Sequence, residues 1–131
     1  MRILTLLGDL FMDILVTNNP LAEAQYRDRF RIEYIETSLI DVLIRVRNHA
    51  HVGHRLLTHP LTGGLKPNDT PYKSILVSGT RGEIDEQSIR IIEDAVLIAK
   101  GFPLRQIPER YLQDLQTVDL SLIRSALDTK P

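Results

Sequence analysis

Cysteine is absent from this chain of 131 residues, and so is tryptophan. Without a thiol there is no disulfide, no thiolate nucleophile and no thiolate metal site, a usage compatible with a reducing compartment. Aromatic residues make up only 5% of the sequence and are scattered, so no platform for stacking bases is expected. Neither sign of charge dominates: sixteen basic and seventeen acidic residues leave a net charge of −1, which excludes a basic surface for a phosphate backbone and hence nucleic acid as a partner. A long apolar run is missing too. The leucine-rich opening "MRILTLLGDLFMDILV" is broken by Asp9 and Asp13 before it reaches the length of a signal sequence or a membrane span, so the expected location is cytoplasmic, with no membrane partner.

What is present is the composition of a globular protein, 43% hydrophobic and 25% charged, at a length that suits one core and one domain over 1–131. The first clean strand pattern, "DILVT", starts directly after Met12, which marks residues 1–11 as an N-terminal extension. Asn18, Asn19 and Pro20 follow it; proline suits the first helical position, so a helix over 20 to about 29 is expected. "RIEYIE" alternates as a second strand at 31–35. Ser38, with Asp41 three residues on, opens a helix to about 52 whose Leu39, Val42, Leu43, Val46 and Ala50 share one face.

"RLLT" at 55–58 and "KSILVS" at 73–78 read as a third and a fourth strand. Asp85 caps a long helix whose stripe is Ile89, Ile92, Val96 and Ala99, widened by Ile91, Ala95 and Ile98; it ends at Lys100, at Gly101 in a left-handed cap, and before Pro103. Two more helical stretches, "PERYLQDLQ" and "VDLSLIRSALDT", form a C-terminal tail over 104–131, the last burying Leu120, Ile123, Ala126 and Leu127. Strands alternating with helices predict an α/β three-layer sandwich: a short, mostly parallel four-stranded sheet of order 2-1-3-4 flanked by helices, with C-terminal helices added.

In such a sheet the loops leaving the carboxyl ends of the strands share one edge, where ligands sit. That edge would gather Thr17, Asn18 and Asn19, the loop "THPLTGGLKPNDTPYKS" at 58–74, and Ser78 after the fourth strand. The asparagines cap a helix, or its free N–H groups attract a carboxylate or phosphate. His59, extended by Pro60, carries a proton near neutral pH or ties the loop down. Gly63 and Gly64 permit a bare turn or close approach to a ligand. Lys66 and Lys73 offer charge to an anion or stand solvated; Asn68 and Thr70 close a turn or line the pocket, and Tyr72 and Ser78 line it. A serine hydrolase pairing Ser78 with His59 lacks nucleophile-elbow spacing. No Walker or dinucleotide glycine pattern is present, and no cofactor is expected. His49 and His51 point to different helix faces and suit the helix end better than a metal, while His54, past Gly53, reaches toward the polar edge.

"LVTNNP", "GHRLLTHPL" and "KPNDTPYKS", in this order, resemble the GrdX family, small proteins encoded beside glycine reductase genes in amino-acid-fermenting bacteria. The resemblance covers about residues 12–100 and is most specific from "THPL" to "PYKS". Matching positions are Asn18, Asn19, Pro20, Gly53, His54, His59, Pro60, Lys66, Pro67, Asn68, Thr70, Pro71, Tyr72, Lys73 and Ser74. Gly64 stands where a serine is expected, which removes a hydroxyl from that place. The resemblance implies a cytoplasmic accessory role linked to glycine, sarcosine and betaine reductase systems, and no established activity.

Three readings stand. In the first, the edge binds a small anionic metabolite, held by Asn19 and the helix start, neutralised by Lys66 and Lys73, and oriented or protonated by His59. In the second, the protein is an enzyme with His59 as general acid or base and Lys73 as electrophilic partner. In the third it is an interaction module whose loop docks on a subunit of a reductase complex. A homo-oligomer is compatible with all three.

Overall fold

A computed structural model of the chain describes residues 11–61 and 66–128. Strand β1 (Ile14–Thr17) runs into helix α1 (Pro20–Tyr26), followed by β2 (Arg31–Tyr34), α2 (Leu39–His51), β3 (Ser74–Val77), α3 (Glu86–Lys100), a 3₁₀ turn (Glu109–Tyr111) and α4 (Leu112–Asp128). The expected N-terminal extension falls almost wholly outside the described residues.

β1 is the central strand, and all four of its residues are buried. Alternation divides them: Ile14 and Val16 join Ile75 and Val77 of β3 under α2 and α3, whereas Leu15 joins Leu76 under α1 and α4. α2 buries Leu39, Val42, Leu43, Val46 and Ala50, the face its sequence spacing predicts, and Ser38 caps it by accepting from the Asp41 N–H. On α3 the buried stripe includes Ile92, Ala95, Val96 and Ala99, while Ile98 is exposed. On the other side of the sheet Ala22, Tyr26, Phe30, Ile123 and Leu127 form the second core. Gly101 ends α3 at φ −78°, a right-handed cap in place of the left-handed one expected.

The sheet differs from the expected one. It has three strands in the order β2-β1-β3; β2 pairs parallel to β1, and β3 pairs antiparallel with Ile14 opposite Val77 and Thr17 opposite Ser74. The expected third strand at 55–58 contributes a single bridge, Leu56 to Val77. Side-chain hydroxyls take the places of ladder partners along this seam. Thr58 Oγ1 accepts from the Leu76 N–H (2.9 Å), Ser78 Oγ from the Arg55 N–H (2.7 Å) and Ser88 Oγ from the Leu56 N–H (2.9 Å). Such bonds compete with regular strand pairing. The segment 55–58 reaches the carboxyl edge of β1, and β3 returns from that edge, so the connection between them is a loop on one edge and not a crossover.

Candidate functional site

Where β1 ends, three elements are joined by a closed ring of hydrogen bonds. The Asn19 N–H donates to Thr17 Oγ1 (3.0 Å), and Thr17 Oγ1 lies 2.7 Å from Ser74 Oγ. Ser74 Oγ donates to Asp119 Oδ2 (2.7 Å), which also accepts from Asn19 Nδ2 (2.9 Å). A hydroxyl has one proton, so Ser74, which gives its own to Asp119, accepts from Thr17. All four residues are buried, Asn19 completely. Asn19 Oδ1 accepts from the Leu21 N–H (3.0 Å) as the cap of α1, and its amide also donates to the Gln116 carbonyl (2.9 Å). Asn18 is equally engaged: its amide donates to the carbonyls of Thr37 (2.9 Å) and Pro71 (2.7 Å), and its oxygen accepts from the Lys73 N–H (2.9 Å). The two asparagines therefore position the chain around the edge, and their polar atoms are used in doing so.

Burial pushes the Asp119 carboxyl above its ordinary range, against the opposing pull of the Asn19 and Ser74 hydrogen bonds and the charge of Lys73. Lys73 responds in kind: desolvation lowers its pKa, and the charge of Asp119 draws it back up. Among the described residues Lys73 forms no ion pair. Its half-buried side chain lines a cavity of about 250 Å³ with Thr58, His59 and Ser74, walled on the apolar side by Leu61 and by Leu122 and Ile123 of α4. The Nδ1 of His59 is occupied by the backbone of Leu61 (3.1 Å from its nitrogen), which leaves Nε2 as the ring nitrogen turned to other partners. His59 and Lys73, expected to act together, thus line one cavity.

Other expected residues are elsewhere. Because β3 is antiparallel to β1, Ser78 follows Val77 beside the start of β1, at the opposite edge from His59, and the Ser78–His59 pairing is excluded by topology. His54 is at that far edge as well, donating from Nδ1 to the Ser78 carbonyl (2.7 Å) with its ring against His49 (4.9 Å between centroids). His49 in turn donates to Glu33 (2.8 Å), and that hydrogen bond, ahead of the charges of His49 and Arg45, holds the Glu33 carboxyl below its usual value against the effect of burial. Lys66 lines a separate depression with Phe102 and Arg105. Asn68 adopts φ 70°, a left-handed conformation asparagine tolerates, and its amide donates to the carbonyls of Ala99 (3.2 Å) and Phe102 (3.0 Å), fastening the loop to the end of α3. Thr70 accepts from the Tyr72 N–H (3.2 Å), and Tyr72 accepts at its phenol oxygen from Gln116 (2.8 Å). Gly63 and Gly64 lie outside the described residues.

Asp119 is absent from the expected residues, although the signal was there. Asp119, Ile123 and Leu127 recur every four positions, which sets a carboxylate on the stripe that α4 buries. A buried acid on an apolar face requires partners, and the buried hydroxyls and amides at the end of β1 are those partners.

A sequence model of the GrdX-like protein family matches residues 14–128. The match spans β1 through α4, and so takes in the helical tail that the sequence motifs left outside the resemblance. No curated protein and no solved structure matches the chain.

Proposed function

The chain belongs to the GrdX-like protein family, and on that premise we propose that it binds a small anionic metabolite, a carboxylate or acyl phosphate with a short apolar body, in the cavity between β3 and α4. The observation that carries this reading is Lys73: a half-desolvated ammonium lining a cavity, with Asp119 behind it as countercharge. A volume of about 250 Å³ falls below the roughly 300–1,000 Å³ of sites for drug-sized ligands, so the ligand has few heavy atoms. Thr58, whose oxygen already accepts from Leu76, has its hydroxyl proton to donate, and His59 adds a second hydrogen-bonding side chain to the lining. Leu61, Leu122 and Ile123 take the apolar body. Asn18 and Asn19 act by holding this geometry, and Lys66 is not part of it. The setting beside amino-acid reduction, which the family resemblance implies, belongs to the same proposal, with a cytoplasmic location; no helix among the described residues is long and apolar enough to cross a membrane.

Calorimetric titration with acetate, glycine, sarcosine and acetyl phosphate tests it. Binding by at least one, abolished in Lys73→Met with an unchanged fold, is the expected result; equal binding by Lys73→Met would end the proposal.

The shared cavity of His59 and Lys73 also supports the second reading, an enzyme. The separating measurement is turnover of the bound compound: His59→Ala abolishes it in an enzyme while binding persists. The interaction reading has its support in Leu97, Phe102 and Leu104, which are exposed, with Phe102 in the depression that Lys66 lines. Copurification with a reductase subunit that is lost on changing Lys66 and Phe102 would favour it.

A further inference from the structure

A second, open groove of about 470 Å³ is lined in part by Asn18 and carries no basic side chain. Tyr34 at the end of β2, Glu36 and Thr37 in the connection to α2, Tyr72 in the long loop and Gln116 on α4 form its walls. Neither lysine, arginine nor histidine lines it, in a chain with sixteen lysines and arginines. Two of its amide protons are consumed internally, since Asn18 donates both to the Thr37 and Pro71 carbonyls. The Gln116 amide donates to the phenol oxygen of Tyr72, which fixes that side chain. What the groove offers an incoming group is two tyrosine side chains, a carboxylate, the Thr37 hydroxyl and the second N–H of the Gln116 amide. Glu36 is the acidic side chain that lines it, and burial first, then Glu23, Glu36 and Tyr72, push the Tyr34 phenol above its ordinary pKa.

We propose that this groove binds a small organic cation, an alkylated ammonium group seated against the rings of Tyr34 and Tyr72 and neutralised by Glu36. Ring faces attract such cations through their quadrupole, and weak hydration of an alkylated ammonium makes it cheaper to seat on a ring than an inorganic ion. A bare metal ion would need several oxygen or nitrogen ligands together, and no group of three histidine or acidic side chains among the described residues could hold one. An anion is disfavoured by Glu36 and Glu23. The groove and the cavity that Lys73 lines share no lining residue. Gln116 faces the groove and Leu122 and Ile123 face the cavity, so α4 contributes to each from a different stretch.

The experiment is a titration of the full chain with tetramethylammonium chloride, read from the tyrosine ring resonances and matched at each point by sodium chloride. The expected result is a saturable shift at Tyr34 and Tyr72 that sodium does not produce. Glu36→Gln, an exposed position, weakens it roughly two- to fivefold, as does Tyr72→Leu if that variant keeps the wild-type amide spectrum. The proposal is overturned if the shifts do not saturate, if sodium reproduces them, or if Glu36→Gln binds as wild type does.

Discussion

Asn19 and Asp119, a hundred positions apart in the chain, meet at 2.9 Å, and both are buried. The pair clamps the end of the central strand to the C-terminal helix, with Ser74 donating to the same carboxylate oxygen. Asp119→Ala leaves the Asn19 amide and the Ser74 hydroxyl buried without their acceptor, and the expected loss is about 1–3 kcal/mol in urea unfolding. Asp119→Asn keeps an oxygen acceptor and removes a desolvated charge, so it costs less than the alanine change. The sign of the pH effect follows from the raised carboxyl: the native state keeps its proton to higher pH than the unfolded state does. Stability from this group therefore declines as pH rises from the ordinary value of 3.8 through the raised one, and Asp119→Asn lacks that decline.

Lys73 supplies a second test. Its pKa lies below the ordinary lysine value of 10.5 because its side chain is desolvated. Carboxylate affinity therefore falls as pH rises through the depressed Lys73 pKa, earlier than an ordinary lysine would allow. Removing the countercharge with Asp119→Asn moves this alkaline limb to still lower pH. Titrations of acetate binding at a series of pH values read both effects, and an unshifted limb in Asp119→Asn would disconnect the two groups.

Much of this arrangement was legible in the sequence, and the reasons are local. The end of β1, the cap at Asn19, Pro20, the Ser38 cap and the stripes of α2 and α3 each rest on spacing or on one residue's backbone preference, and the structure keeps them. The sheet direction was not read correctly, because strand direction depends on what joins the strands. The signal existed: residues 59–73 carry Pro60, Pro67 and Pro71 and no helical stripe, so no crossover helix spans them, and a strand re-entering without one must run antiparallel. His59 and Lys73 still line one cavity, since both flank the same edge at the two ends of that loop. Ser78 does not, because it was assigned by the parallel rule. Asp119 was missed because its role depends on a partner one hundred residues earlier.

Acid stability is expected to depend on Glu33. Its carboxyl is held low chiefly by the hydrogen bond from His49, with Arg45 adding charge (3.3 Å). A depressed folded pKa contributes stability above the ordinary value of 4.5, and that contribution is lost as pH falls toward the folded value. Urea midpoints measured across this range should fall for the wild type, and Glu33→Gln should remove this part of the fall. Identical slopes in the two proteins would show that the contact between β2 and α2 contributes nothing.

Gly53 provides a backbone test. Its φ of +104° is closed to other residues, and an added Cβ would collide with the carbonyl oxygen of Gly82. Gly53→Ala is expected to cost about 1–3 kcal/mol or more. Gly82→Ala, where an added Cβ meets nothing within 4 Å, stays within about 0.5 kcal/mol of the wild type.

The hydroxyl-stitched seam beside β3 bears on how the molecule meets its own copies. An unpaired strand border is a template on which another chain can lay down a strand, the first step toward sheet-like clumping. Here Thr58 and Ser78 occupy the border groups that a visiting strand would seek. On that flank the two small alcohols act together with the exposed Arg55, the one charged residue of the segment laid against β3.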